Sequence, residues 1–269
     1  MFIASIFLFA TGQTRVVSGT LPDSPNLAMG APAYGQVDRT LLRYSAYFVM
    51  HDDERKIPVW VSYELTQEHA SGELGRYSGS FMTETDLKPG KRASDADYRG
   101  NMQPYGLQRG HMAPDADFRW NEQVQKETYF LSNVVPQNGS MNGGQWGKLE
   151  QAVRDAAKRG NHKVFVITGS ASDHPLPLWA SKLSSIGSGV TVPSHLFKII
   201  VRQTEAGYRA SAYWCENVDP SRFSPARTYK DWLTTVDDIE GKTNLNFCNA
   251  LPVEVQNLFE GQRVDIGQL

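Results

Sequence analysis

The chain has 269 residues, enough to bury a full hydrophobic core in one large domain or two small ones. Hydrophobic residues make up 40% of it and charged residues 21%, which is the composition of an ordinary soluble globular protein. The formal net charge of −2 excludes a strongly basic field over the whole surface. Any contact with phosphates would therefore depend on a few locally placed arginines or lysines.

The chain begins with a short apolar run, Phe2 to Ala10, that no lysine or arginine precedes. This run is too short to cross a bilayer, and no other segment approaches transmembrane length. It is typical of the hydrophobic part of a secretory signal, or of a buried strand at the edge of a domain. We expect residues 1–20 to be a signal-like segment of a secreted or periplasmic protein, and residues 21–269 to be one domain, since no linker divides them.

The sequence of the first half of the domain predicts a hairpin, a long loop and two further strands. Residues 41–50 and 58–65 are β-branched and aromatic, and the polar sequence between them is typical of a turn. Residues 72–106 carry scattered charge, and loops of this length are usually functional or disordered. Two further strands are expected. The first ends with LQRGH (residues 107–111), and the second spans TYFLSNVV (residues 128–135).

A helix is predicted over residues 144–159, and Gly160 follows it as a stop signal. Four apolar residues recur at helical spacing and form one buried face: Trp146, Leu149, Val153 and Ala156. A rotation of about 100° per residue places Glu150 and Arg154 at the margin of that face. The preceding loop brings Asn142 to the helix start, where unpaired N–H groups favour anions. By itself the helix is also compatible with a surface Glu150–Arg154 pair and with Asn142 as a cap.

The second half predicts a strand over residues 162–169 and a hairpin formed by residues 195–203 and 208–215. Residues 228–243 and 252–261 are expected to close the chain as short helices. Strands and helices are interspersed rather than strictly alternating. We therefore expect an α+β fold, in which helices flank a mixed, mainly antiparallel sheet.

The chain has two cysteines, Cys215 and Cys248, and each follows apolar residues that indicate burial. Two cysteines are compatible with one disulfide in an oxidising compartment, and equally with two buried thiols. Neither belongs to a nucleophile motif, and no group of histidines and cysteines has zinc-binding spacing.

The residues that could carry chemistry follow one another as a strand ending in RGH, a second strand, an Asn-containing loop and a helix with a glutamate. A histidine at a strand end and an amide at a helix start can face each other across a short ββα unit. A neutral imidazole can take a proton from water near neutral pH. An asparagine oxygen suits Mg²⁺, which keeps several waters and accepts few protein ligands. This combination indicates hydrolysis of a phosphodiester.

The chain resembles the DNA/RNA non-specific endonuclease family of the ββα-metal (His-Me finger) superfamily. The resemblance covers about residues 25–260 and is carried by QRGHMAP from Gln108, YFLSN from Tyr129 with Pro136-Gln137, MNGG from Met141, and Trp146 with Leu149-Glu150. It implies a ββα-metal core and an enzyme that cleaves single- and double-stranded DNA and RNA. It also implies dependence on Mg²⁺, with Mn²⁺ as a substitute.

The resemblance assigns roles by position. His111 is similar to the family's general base, and Asn142 to its single direct protein ligand for the metal. Glu150 resembles the carboxylate that orders metal-bound water. Asn133 resembles the amide that supports the site.

Three arginines are implied at the phosphate. Arg109 and Arg154 match family arginines near the scissile phosphate, and Arg92 matches the one that stabilises the pentacovalent transition state. One position departs from the family, which usually has an aspartate before RGH where this chain has Gln108. A glutamine can hydrogen-bond but cannot pair a charge, which would weaken metal affinity or alter the pKa of His111.

We therefore expect a Mg²⁺-dependent, sugar-non-specific endonuclease that leaves 5′-phosphate ends. Two alternatives stay open: an impaired relative that only binds nucleic acid, with Gln108 as the suspect change, and a metal phosphodiesterase acting on small molecules. The mitochondrial intermembrane space is the alternative location. The residues indicate neither a membrane partner nor an inhibitor protein, and they leave the oligomeric state open.

Overall fold

The computed structural model describes residues 14–159, 163–180 and 183–269 of the chain. The apolar run from Phe2 to Ala10 and the helix stop at Gly160 lie outside the described residues. Within the described residues, no helix combines the length and the apolar character needed to cross a bilayer.

An antiparallel sheet of seven strands forms the centre of the structure. The α+β prediction with a mainly antiparallel sheet is confirmed. The chain leaves the sheet after its third strand and returns to it with its sixth strand. The segment between these two strands, which we call the excursion, carries the residues that the sequence singled out. The spatial order is β1 (Arg39–Arg43), β2 (Phe48–Asp52), β3 (Ile57–Leu65), β6 (Lys163–Ala171), β9 (His195–Thr204), β10 (Gly207–Glu216) and β11 (Leu233–Thr234).

Both predicted hairpins are present, as β2–β3 and β9–β10. The prediction of one strand over residues 41–50 is wrong, because the chain turns between β1 and β2. The Tyr44 and Tyr47 rings stack with centroids 4.4 Å apart, and the Tyr47 hydroxyl donates to the Glu127 carbonyl at 2.7 Å. The ring stacking and the hydrogen bond to the distant Glu127 fix this turn, which no glycine, proline or asparagine marks in the sequence.

The two faces of the sheet bury two separate hydrophobic cores. Alternate residues of one strand divide between them, so that Val164 and Val166 of β6 belong to one core and Phe165 and Ile167 to the other. The predicted helix covers the first core. Its four apolar residues (Trp146, Leu149, Val153 and Ala156) are all buried there, as their spacing predicted.

The excursion contains a ββα unit. Its strands β4 (Leu107–His111) and β5 (Val134–Asn138) pair antiparallel. One helical stretch follows, made of α4 (Gly139–Met141), a π-helical turn (Asn142–Trp146) and α5 (Gly147–Lys158).

Two predicted boundaries in this unit are wrong. The strand predicted over residues 128–135 begins only at Val134, because the Asn133 side chain donates to the Thr128 carbonyl at 2.8 Å and draws the preceding residues into a turn. The helix begins at Gly139 rather than at residue 144, because the Asn138 side chain accepts from the Met141 N–H at 3.1 Å and caps it. Asn142 therefore lies inside the helical stretch and not at its start.

The remaining elements are short. The predicted loop over residues 72–106 contains two short helical turns, α2 (Asp95–Tyr98) and a 3₁₀ turn (Gln103–Tyr105). Residues 228–243 form a 3₁₀ turn, strand β11 and a helix instead of helix alone, because β11 pairs with β10. The bounds are α1 (Gln67–Ala70), α2 (Asp95–Tyr98), α3 (Glu122–Glu127), β7 (Ser185–Ile186), β8 (Val190–Thr191), α6 (Val236–Thr243) and α7 (Val253–Gln256).

The two cysteines lie on opposite faces of the sheet. Cys215 is part of the core that α5 covers, and Cys248 is part of the core on the other face. Both are buried free thiols, and burial raises the pKa of each. Of the two options left open by the sequence, the structure has the free thiols and not the disulfide.

We expect thermal unfolding of the protein to be insensitive to reductant, because no covalent link crosses the sheet. Calorimetric scans with and without dithiothreitol should superimpose, and alkylation in denaturant without reductant should label both Cys215 and Cys248. A single unlabelled pair that becomes reactive only after reduction would contradict the free-thiol arrangement.

Candidate active site

A surface cavity of about 720 Å³ lies where β4 ends beside the helical stretch. It is lined by five residues that the sequence singled out: Gln108, Arg109, His111, Asn142 and Glu150. The cavity has a local excess of positive charge although the whole chain is slightly negative, since its lining includes three arginines and two carboxylates: Arg76, Arg109, Arg119, Asp115 and Glu150.

The glycine of the RGH sequence is required by the pairing of the two short strands. Gly110 lies opposite Val135, and a Cβ at this position would come within 1.7 Å of Gln137 Oε1 and 2.6 Å of Gln137 Cβ. Side chains alternate along a strand, so Arg109 and His111 share the other face of β4. Both side chains line the cavity, as does Gln108 near the start of the strand.

His111 is buried at the end of β4, and its Nε2 has no hydrogen-bond partner among the described residues. Its ring packs against Phe81 and meets Tyr129 edge-on, with centroids 5.2 and 4.7 Å away. The pKa of His111 is lowered to about 4, first by burial and then by the positive charge of Arg76, while the negative charge of Asp115 opposes both. The imidazole is therefore neutral at neutral pH and can accept a proton.

Asn142 is held by the residue that departs from the family pattern. Its Nδ2 donates to Gln108 Oε1 at 3.2 Å. This bond orients the amide and leaves Asn142 Oδ1, the oxygen that could ligate a cation, outside the bond. Gln108 thus contacts the proposed metal ligand directly, and a neutral side chain makes the contact.

Glu150 lines the same cavity from α5. The pKa of Glu150 is raised to about 7, because burial and the negative charge of Asp117 raise it by more than the buried Lys198 ammonium lowers it. Lys198 reaches this region from β9, where its Nζ donates to Thr168 Oγ1 at 2.6 Å. The sheet therefore supplies the charge that favours the ionised form of Glu150.

Arg154 lies beside Glu150 but does not line the cavity. Its Nη1 donates to the buried Asp117 carboxylate at 2.9 Å, and the Tyr63 hydroxyl donates to the other oxygen of that carboxylate at 2.7 Å. In the described structure this arginine belongs to a buried charge network behind Glu150.

The other two predicted arginines have different environments. Arg109 lines the cavity, where it pairs with Asp95 at 2.5 Å and lies over the Phe81 and Tyr98 rings. Arg92 does not line the cavity, and its Nη1 donates to backbone carbonyls of the preceding loop, such as that of Leu87 at 2.7 Å.

Asn133 is fully buried and bonds to backbone atoms only. Its Oδ1 accepts from the Ala113 N–H at 2.8 Å, and its Nδ2 donates to the Ala113 carbonyl at 2.9 Å. Ala113 comes two residues after His111, so this amide fixes the chain that leaves the histidine.

The profile of the DNA/RNA non-specific endonuclease family matches residues 23–254. The chain belongs to this family. It is an enzyme that hydrolyses nucleic acid, and the family is one of metal-dependent nucleases. A chain from a crystal structure of the EndoG/EndoGI complex superimposes with a TM-score of 0.76 at 25% identity, covering 91% of this chain and 100% of that one. The match confirms the expected ββα-metal fold.

This nuclease is similar to proteins of animals and bacteria. The mitochondrial nuclease EXOG of Danio rerio is 30% identical over 271 residues, which cover 99% of this chain and 76% of the relative. The nuclease of Serratia marcescens is 28% identical over 259 residues (95% and 91%), and human mitochondrial endonuclease G is 28% identical over 214 residues (75% and 67%). Two of these relatives are named as mitochondrial, the alternative location that the sequence suggested.

Sequence reasoning missed two charged residues of the nuclease site. Arg76 lines the cavity and acts on the pKa of His111, yet it lies in the loop over residues 72–106, where no periodicity indicates a role. Lys198 lies on β9 and acts on the pKa of Glu150. A lysine inside a strand of otherwise apolar residues was the available signal, because lysine is almost never fully buried without a partner.

We predict that Arg76→Ala raises the pKa of His111, because it removes the positive charge that opposes protonation of the ring. The expected rise is about 0.5 to 1 pH unit for a nearby, partly solvated charge. It can be measured by NMR titration of ¹⁵N-labelled imidazole in EDTA. Arg209→Ala removes an exposed arginine of β10 that does not line the cavity, and should leave the titration unchanged. Equal shifts in both variants would remove Arg76 from the environment of His111.

Proposed function

We propose that the chain is a Mg²⁺-dependent, sugar-non-specific endonuclease that hydrolyses phosphodiester bonds of DNA and RNA and leaves 5′-phosphate ends. The observation that carries this proposal is that a neutral His111 lines the same cavity as Asn142, Glu150 and two arginines, Arg76 and Arg109. A general base, oxygen ligands for a metal ion and positively charged groups for a phosphate thus line the same cavity.

The donor groups fit a magnesium ion. Asn142 offers a neutral amide oxygen that its bond to Gln108 does not use, and Glu150 offers a carboxylate in the same cavity. Mg²⁺ prefers oxygen ligands, keeps several waters and binds few protein groups. When bound there, the ion would supply positive charge for the leaving 3′-oxygen.

His111 performs the proton transfer in this proposal. Its imidazole takes a proton from a water molecule as the water oxygen bonds to phosphorus and the bond from phosphorus to the 3′-oxygen breaks. The 3′-oxygen leaves as an alkoxide and takes a proton from a second water molecule, so the products are a 5′-phosphate and a 3′-hydroxyl. Because the pKa of His111 is about 4 before substrate binds, the ring is already deprotonated at neutral pH. Phe81 and Tyr129 hold its plane.

Arginines account for the broad substrate range. The guanidinium groups of Arg76 and Arg109 can donate to phosphate oxygens as negative charge builds up in the transition state. Phosphate contacts carry no base information. The apolar face of α5 is buried against the sheet, so the helix of the ββα unit is anchored in the fold.

The alternatives receive less support. An impaired, binding-only relative would be expected if Gln108 disturbed the site, but Gln108 orients Asn142 through a hydrogen bond. A small-molecule phosphodiesterase was suggested by the near-neutral net charge, whereas the cavity has an excess of arginines. A protein inhibitor is a further candidate partner, since the structural relative was solved in the EndoG/EndoGI complex.

We predict that the purified protein cleaves plasmid DNA and RNA with Mg²⁺ and fails to do so with EDTA. His111→Ala should lower the cleavage rate by about two orders of magnitude or more, the usual scale for loss of a general base, while gel-shift binding in EDTA persists. His174→Ala is the matched control, because His174 lies outside this cavity, and it should cleave like the parent. Cleavage that survives His111→Ala would exclude His111 as the base. Binding without cleavage by the parent would favour the impaired relative.

We predict that Asn142→Ala raises the Mg²⁺ concentration needed for half-maximal cleavage, because one ligand oxygen is lost. Tenfold or greater excess of Mg²⁺ should restore part of the rate, since a loss of about 1.4 kcal/mol of binding free energy changes affinity tenfold. Asn257→Ala removes an exposed amide outside the cavity and should leave the Mg²⁺ curve in place. Superimposable Mg²⁺ curves for Asn142→Ala and the parent would remove Asn142 from the ligand set.

A further inference from the structure

Three carboxylates converge at a second place, away from the nuclease cavity. Asp237 and Glu240 are three residues apart on α6, and Glu260 follows α7. One carboxylate oxygen from each lies within 4.8 Å of the other two. None of the three residues lines the nuclease cavity, and α6 packs on the core of the opposite face of the sheet through Val236 and Ile239.

Backbone hydrogen bonds hold this cluster in place. The Glu260 carbonyl accepts from the N–H groups of Val236 at 2.9 Å and Asp237 at 3.3 Å, so Glu260 is fastened to the first turn of α6. Glu240 Oε1 accepts from the Phe247 N–H at 2.6 Å. The carboxylates are therefore brought together by the fold rather than by chance orientations of surface side chains.

The cluster lacks a compensating charge within the described part of the chain. Glu260 is 5% exposed, and its Oε1 is buried without a hydrogen-bond partner there. No lysine or arginine of the described residues forms an ion pair with any of the three, whereas the neighbouring Asp238 pairs with Lys242. The pKa of Glu260 is raised to about 7, first by burial and then by the negative charges of Glu240 and Asp237. An uncompensated buried carboxylate is costly, so something should neutralise it.

The spacing of the oxygens fits a calcium ion. Ca²⁺ binds oxygen ligands at roughly 2.3–2.6 Å, so two of its ligands can be at most about 4.6–5.2 Å apart. Mg²⁺ binds at about 2.0–2.1 Å, which limits its ligands to about 4.2 Å. Oxygens within 4.8 Å of one another need at most small side-chain adjustments to bind one Ca²⁺, which accepts the longer oxygen–oxygen distances of the two ions. Carboxylates, with water completing the shell, are the ligands that this ion prefers.

We propose that Asp237, Glu240 and Glu260 form a Ca²⁺ site, separate from the nuclease cavity, that ties α6 to the chain segment after α7. The ion would neutralise the buried carboxylate of Glu260. Because it binds the folded state, it would raise the unfolding temperature of the protein. The inference stands on the cluster alone and does not depend on the proposed nuclease chemistry.

The test is thermal unfolding of the full chain at pH 8 in EDTA, in Ca²⁺ and in Mg²⁺, with Asn142→Ala as the background that weakens the active-site ion. We expect Ca²⁺ at about ten times its dissociation constant to raise the unfolding temperature by roughly 3–6 °C, and Mg²⁺ to raise it less. Titration calorimetry on the same background should show one Ca²⁺ per chain.

Glu260→Gln and Asp237→Asn, each on that background, should lose the Ca²⁺ response. Glu254→Gln should keep it, because Glu254 is an exposed carboxylate of α7 outside the cluster. In EDTA, Glu260→Gln should unfold at the same or a higher temperature than its background, since it removes repulsion, which also shows that it folds. Absence of Ca²⁺ uptake by the Asn142→Ala protein, or a full response in Glu260→Gln, would overturn the proposal.

Discussion

Antiparallel pairing of β4 with β5 is the constraint on which the candidate active site depends. The pairing leaves no room for a side chain at Gly110, and it places Arg109 and His111 together on one face of β4, where both line the cavity. It also delivers the chain directly into the helical stretch that carries Asn142. A change of register by one residue would turn Arg109 and His111 away from the cavity, because side chains alternate along a strand.

Burial shifts the two titratable groups of the cavity in opposite directions. Burial lowers the pKa of His111 and raises the pKa of Glu150, and with the surrounding charges included these pKa values are about 4 and about 7. The fold then adds charge to each environment. Arg76 keeps the imidazole neutral, and Lys198 favours ionisation of the carboxylate. The same low-dielectric surroundings thus keep the His111 base neutral and raise the pKa of the Glu150 carboxylate, and one nearby cation modifies the pKa of each group.

Buried polar atoms that lack a hydrogen-bond partner among the described residues lie on both faces of the sheet. On one face, the nuclease cavity contains His111 Nε2, which has no partner among the described residues. On the other face, where α6 and the segment after α7 meet, Glu260 Oε1 also lacks a hydrogen-bond partner among the described residues. Among the buried polar atoms that lack a partner in the described residues, these two belong to a residue that lines the cavity and to a member of the carboxylate cluster. In the two proposals His111 takes a proton, and Glu260 binds a cation.

The sequence by itself determined the α+β class, the buried face of α5 and the grouping of His111, Asn142 and Glu150, because hydrophobic periodicity and short motifs are local properties of the chain. It did not determine where the strand after the RGH sequence begins, since the Asn133 side chain overrides the local strand propensity through backbone hydrogen bonds. Only the tertiary structure placed Arg76 in the cavity and showed that Arg92 lies outside it. Contacts between segments far apart in sequence decide such positions, and no local pattern encodes them.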